Sequence, residues 1–157
     1  MQTIFDSKTL PAAKRRQAWH DAICDIYLKV DCAAERRDDY HGFVRETRFG
    51  AVTLTDALCS PQSVLRQSRH IARLEKDCYF LGLAQSGALE VRQAASATTM
   101  HPGVGVLYYA SEPYELCCET KVPRPLSLLN RKFLLYKLLG RRNFRCPMFG
   151  SFVSFSL

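Results

Sequence analysis

Acidic side chains are missing from the end of this chain: residues 120–157 carry eight Lys and Arg and no Asp or Glu. Residues 1–119 hold fourteen basic and fifteen acidic groups, so the two parts contribute +8 and −1 to the formal net charge of +7. A basic end attracts polyanions, nucleic acid first, through counterion release. It is equally what a solvated helix face followed by a free end looks like. Arg141, Arg142 and Arg145 are the candidates for nonspecific phosphate contact; sequence-specific reading needs a patch on a DNA-binding module, and charge alone does not supply one. Long apolar runs are also missing, and the polar start MQTIFDSKTL has no signal-peptide core. Neither a membrane span nor secretion is expected, and the cytoplasm is the expected compartment.

No C-x-x-C pair occurs among the seven cysteines (24, 32, 59, 78, 117, 118 and 146). An odd number cannot pair completely within one chain, and reduced, mostly buried thiols are the expectation. Adjacent Cys117 and Cys118 would point to opposite faces of a strand and so could not share one metal ion there. The four histidines, His20, His41, His70 and His101, stand at least 21 residues apart. A ferrous or zinc site on a small barrel needs two histidines close together on one strand, so no metal site is expected. Nucleophile elbow, phosphate loop and paired-carboxylate motif are absent too. The chain therefore reads as a non-enzyme with no cofactor.

What is present is β-structure. Residues 78–116 read as three short strands separated by turns, with Tyr79, Leu81 and Leu83 on one face of the first and Leu89 and Val91 on the next. Ser86-Gly87 supplies one turn and His101-Pro102-Gly103 another, before the run Val104 to Tyr109. Upstream, residues 43–49 and 51–58 alternate around Gly50 and form a hairpin. Residues 60–63 break the second strand, another begins at Val64, and a short strand starts near Asp31.

Helices bracket these strands. Leu10 and Pro11 open the first, whose Trp19, Ala22, Ile23, Ile26 and Tyr27 recur at three and four as one apolar stripe, docked on the barrel with Trp19 as anchor. Leu128 to Leu139, ended by Gly140, is the second candidate. A length of 157 residues and 47% hydrophobic content suit one core.

An apolar strand ending in Ser-Gly, a Pro-Gly turn, an aliphatic and tyrosine strand, and then Ser111-x-Pro113-Tyr114-x-Leu116 together resemble the amino-terminal domain of AraC/XylS-type transcription regulators. The resemblance extends back through Arg69, Ile71 and Ala72 to the opening LPAAKRRQAWHDAI and covers roughly residues 5–135. Val104 departs from it, since an acidic residue commonly follows Pro-Gly there. The resemblance implies a mainly β fold with α: a cupin-like small barrel or jelly roll, preceded by the amphipathic helix and followed by a carboxyl-terminal helix. In that pattern Leu126 to Leu129 becomes a last strand, and the helix starts near Asn130.

Domain boundaries follow at 1–135 for the effector-binding and dimerisation domain and 136–157 for a tail. That tail, RRNFRCPMFGSFVSFSL after Gly140, has four phenylalanines and no sustained period. It is either a disordered tail or the product of a departure from the ancestral reading frame; loss of resemblance favours the second. Family members are similar in being about twice this length, with two helix-turn-helix units after the sensing domain, and no such pair is found here.

The resemblance therefore implies ligand sensing and dimerisation, as homodimer or mixed dimer, without a DNA reader in these residues. The effector, of unknown identity, is expected in the barrel mouth against Tyr79, Leu81 and Tyr108, with Arg48 as anchor for an anionic group. The alternatives are a stand-alone small-molecule-binding cupin-like protein and a mixed-dimer modulator of full-length regulators.

Overall fold

The computed structural model describes residues 2–34, 40–50, 52–73, 78–118, 126–133 and 153–156. The chain opens with strand β1 (Gln2–Asp6) and a short 3-10 turn, and then forms α1 (Ala12–Ile26). Next come β2 (Asp31–Ala34), β3 (Gly42–Phe49), β4 (Val52–Cys59), β5 (Gln62–Arg66) and the single-turn helix α2 (Ser68–Arg73). Five strands succeed one another without a helix: β6 (Tyr79–Ser86), β7 (Leu89–Gln93), β8 (Ser96–Met100), β9 (Val104–Tyr109) and β10 (Tyr114–Cys117). Two more, β11 (Leu126–Phe133) and β12 (Val153–Ser156), complete the described chain.

These strands build two antiparallel sheets, ordered β1-β3-β4-β11-β6-β9-β12 and β2-β5-β10-β7-β8. Their inner faces share one core: Val44, Ala57, Phe80, Val106 and Tyr108 from the larger sheet meet Leu89, Val91, Met100 and Tyr114 from the smaller. Helix α1 closes this core from the side. Its stripe buries Trp19, 2% exposed, and Ile23, as the three-and-four spacing predicts. Trp19 rests on Phe5 of β1, ring centroids 5.7 Å apart, and on Tyr40 at 6.4 Å.

Gly50, with φ 58°, sits in the left-handed region that the two-residue β3–β4 connection requires. The register pairs Phe49 with Val52 and Gly42 with Cys59.

Three expectations need correction. Residues 78–116 hold five strands where three were expected. Tyr114 to Cys117 forms β10, and β7 and β8 form a hairpin through Ala94-Ala95, a turn without Gly or Asn in which Ala94 takes φ 52°. Helix α2 follows β5 where the sequence suggested only strand. The expected helix from Asn130 does not begin there: β11 runs on to Phe133, because β4 and β6 both offer ladder partners to that point, Val52 and Tyr79. Residues 134–139 of that helix lie outside the described residues. So does most of the segment 136–157 assigned as tail, but residues 153–156 form β12 on β9, with Val153 opposite Leu107.

Candidate functional site

Alternation along β6 sets the interior. Phe80, Gly82 and Ala84 are buried, while Tyr79, Leu81 and Leu83 are half-buried on the opposite side. Phe80 stands opposite Tyr108 of β9, and their rings stack at 5.3 Å. Tyr114 reaches across from the smaller sheet and meets Tyr108 edge-on at 5.0 Å. At the other end Tyr27, just after α1, presents its ring to Phe80 at 6.3 Å and donates its hydroxyl to Oγ1 of Thr55 at 2.8 Å. The four rings form one column from the end of α1 to the start of β10. Offset and edge-on contacts of this kind add stability beyond area burial.

Arg66, the last residue of β5, pairs with Tyr114 in register and is 0% exposed. Its Nε donates to the Ala110 carbonyl and its Nη1 to the Lys29 carbonyl, both at 2.8 Å. One guanidinium thus joins the connection after α1 to the turn after β9. Burial lowers its pKa, while Tyr114 and then Cys78 favour the charged form; arginine stays cationic under such pressure. Burial pushes the phenols of Tyr108 and Tyr114 up, so both keep their protons at neutral pH.

Outside this end of the interior lies an open cleft of about 560 Å³, bordered by Arg66 and Tyr114 together with Gln67, Arg92, Gln93 and Glu112. That volume lies within the range of small-molecule sites. Gln93 shapes its rim, accepting from the Tyr109 amide at 2.9 Å and donating to the Tyr109 carbonyl at 2.7 Å.

The residues expected to line one pocket fall in three places. Tyr108 is in the aromatic column. Tyr79 and Leu81 are on the outward side of β6, where Tyr79 stacks on Tyr109 at 4.6 Å, so they do not line the interior. Arg48, its side chain 77% exposed, donates to Glu46 Oε1 at 2.6 Å. It borders a separate groove of about 720 Å³ with Gln2, Ile4, Glu46 and Thr47. A carboxylate this close partly cancels its attraction for an anion. Arg141, Arg142 and Arg145 lie outside the described residues.

Sequence reasoning missed Phe80, Arg66 and Tyr114. β6 is apolar on both faces, so period two could not say which face turns inward. Starting β5 at Gln62 would have placed Gln62, Val64 and Arg66 on one face, but hydropathy gives no reason to bury the arginine.

The histidines stay apart. On α2, Nδ1 of His70 accepts from the Gln67 amide at 3.0 Å, and its Nε2 lies 3.4 Å from Asp31 Oδ1. His20 pairs with Asp21 at 3.2 Å. Among the described residues no three His, Cys, Asp or Glu side chains converge as a metal site would need.

Residues 19–128 match the model of a family described as the AraC-binding-like domain. An uncharacterized protein of the nit 5′ region from Bacillus sp. (strain OxB-1) is 25% identical over 135 residues, which are 86% of this chain and 52% of that one. The crystal structure of the AraC-like transcriptional activator CuxR superposes with a TM-score of 0.69 at 14% identity, covering 87% of this chain and 48% of the other. A Cupin_2 domain of an XRE-family transcriptional regulator from Enterobacter cloacae matches with a TM-score of 0.46 at 15% identity, over 59% of this chain and 95% of that domain. The chain spans about half the length of the first two proteins, and its fold is a cupin-like β fold.

Proposed function

Because the chain belongs to the AraC-binding-like domain family, we propose that it is the effector-sensing and dimerising part of an AraC/XylS-type transcription regulator, binding rather than catalytic. DNA reading is assigned to elements other than the described ones, among which the only α-helices are α1 and the six-residue α2.

One observation carries the sensing role: Arg66 and Tyr114 belong to the buried interior and also border the 560 Å³ cleft. The ring and phenol of Tyr114 beside a fixed cation suit a small molecule with a flat apolar body and an acceptor or anionic group. The cleft by Arg66, rather than Arg48, is the proposed anchor point.

Dimerisation is supported by the outer face of the larger sheet. Across β4, β11, β6 and β9 the register puts Leu54, Arg131, Leu81 and Leu107 in one row and Val52, Phe133, Tyr79 and Tyr109 in the next. Seven of these eight positions are apolar or aromatic, a composition that suits a contact surface.

Thermal-shift screening with small aromatic carboxylates and their neutral amides tests the sensing role. A ligand should raise the midpoint of the wild type and lose about tenfold in affinity in Tyr114→Phe, the worth of one hydrogen bond. Binding should survive Arg48→Ala, Tyr79→Ala and Leu81→Ala. Loss in Arg48→Ala with Tyr114→Phe unaffected would move the site to the other groove. Light scattering that finds only monomer at micromolar concentration would remove the dimer.

A further inference from the structure

Helix α1 carries three linked side chains that the sensing role leaves unused. His20 and Cys24 are four residues apart on one face of the helix, and Nε2 of His20 lies 3.8 Å from Sγ of Cys24. Nδ1 of the same ring lies 3.2 Å from Oδ1 of Asp21, which also accepts from Nε2 of Gln17 at 2.9 Å. Those two bonds, that of His20 first, hold the Asp21 carboxyl below its ordinary pKa, so at neutral pH it only accepts. Nδ1 is therefore the donor, and in the neutral ring Nε2 turns its lone pair toward the thiol.

We infer that Cys24 is a site of covalent modification by α,β-unsaturated carbonyl compounds, with His20 as the base that takes the thiol proton and Asp21 as the residue that orients the ring. Nucleophile, base and orienting carboxylate stand in the sequence that activates a thiol. The other histidines are engaged elsewhere: His41 faces Asp6, His70 faces Asp31, and the ring of His101 meets the Pro102 carbonyl. Cys24 is half-buried, whereas Cys59 and Cys78 are buried. Burial pushes Cys32 up to about 12 and raises Cys117 as well, which leaves less of the reactive thiolate at both.

The Cys24 proton passes to Nε2 of His20, and the imidazolium so formed is stabilised by Asp21. A sulfur electron pair forms the new C–S bond to the β-carbon, and the π pair of the double bond moves to the α-carbon and carbonyl oxygen as an enolate. His20 returns the proton to the α-carbon. The net change is addition of S–H across C=C, with no leaving group and no change in the number of electrons, so thiol and electrophile alone balance the reaction.

The same thiol reaches the Val30 carbonyl, 3.5 Å away and just before β2. An adduct removes the S–H and with it that bond. The connection that loses this tie also supplies the Lys29 carbonyl that receives Arg66 and the Tyr27 ring that meets Phe80, so modification on α1 bears on the segment behind both.

The test exposes the full chain to excess N-ethylmaleimide at neutral pH, quenches with dithiothreitol at intervals and follows each cysteine by peptide mass spectrometry. Cys24 should be alkylated at least about tenfold faster than Cys32 or Cys117. His20→Gln should remove most of that advantage and leave the rate at Cys117 unchanged. Asp21→Asn should slow Cys24, and Asp21→Glu should restore part of the rate. Cys24 reacting no faster than Cys117 in the wild type, or as fast in His20→Gln as in the wild type, would overturn the inference. The comparison of sites within the wild type stands without any variant.

Discussion

Trp19 donates its indole N–H to Oε1 of Gln62 at 2.9 Å, and the hydroxyl of Tyr40 donates to the same oxygen at 2.8 Å. One amide oxygen on β5 thus serves two buried aromatic donors and fixes α1 against the interior. Trp19→Ala should destabilise the domain by about 3 to 5 kcal/mol in urea titrations. Gln62→Leu should cost about 1 to 3 kcal/mol for each donor left buried and unpaired. A loss below about 1 kcal/mol for Trp19→Ala would mean that α1 does not depend on this anchor.

The same indole forbids a side chain at Gly42. A methyl group there would stand 2.2 Å from Trp19 Cε3, and the ring is held by its hydrogen bond and its aromatic neighbours. Gly42→Ala should therefore cost about 1 to 3 kcal/mol through overpacking. Double-mutant analysis with Trp19→Phe should show the two positions to be strongly coupled.

Ala94 holds φ 52° at the first central position of the β7–β8 turn, a place that type II′ turns give to glycine. The left-handed conformation costs an L-residue about 1 to 2 kcal/mol, and glycine's extra freedom in the unfolded chain returns part of that. Ala94→Gly should stabilise the domain by roughly 0.5 to 1 kcal/mol, seen as a higher denaturation midpoint with unchanged slope.

His41 braces the base of the β3–β4 hairpin: its amide donates to Ser60 Oγ at 2.9 Å and its carbonyl accepts from the Ser60 amide at 2.8 Å. Burial and then Lys8 lower its pKa below 6.5, against the pull of Asp6 3.7 Å away, while Arg15 adds to the lowering. The folded state thus binds this proton less readily than the unfolded chain. Its contribution is present above pH 6.5 and is lost as pH falls toward the folded pKa, with a slope of at most about 1.4 kcal/mol per pH unit. His41→Gln should flatten the stability profile between pH 7 and pH 5; equal slopes for both proteins would refute the assignment.

Duplex DNA should bind this chain weakly and without sequence preference. Affinity should fall by about 0.9 log unit per log unit of salt for each phosphate neutralised. Cutting the chain after Gly140 removes Arg141, Arg142 and Arg145 and should weaken that residual binding while near-ultraviolet dichroism of the core persists. A preference of about a thousandfold for one sequence at physiological salt would reveal a DNA-reading element in these residues.

Local signals in the sequence determined those parts of the protein that depend on a few neighbouring residues. The stripe of Trp19 and Ile23 placed α1, and Gly50, Gly87 and Gly103, with φ of 58°, 76° and 87°, marked turns because other residues resist that conformation. Order and spacing of such signals were also enough to suggest the family. Tertiary structure decided what hydropathy leaves degenerate. Phe80 rather than Tyr79 faces the interior because Tyr27 and the smaller sheet pack on that side of β6, a choice that hydropathy leaves open when both faces are apolar. β11 inserts between β4 and β6, a pairing between distant parts of the chain that no local pattern encodes. Arg66 is buried because carbonyls of Lys29 and Ala110, remote in sequence, converge to receive its guanidinium. The cost of burying a charge is met by partners that only the folded chain assembles.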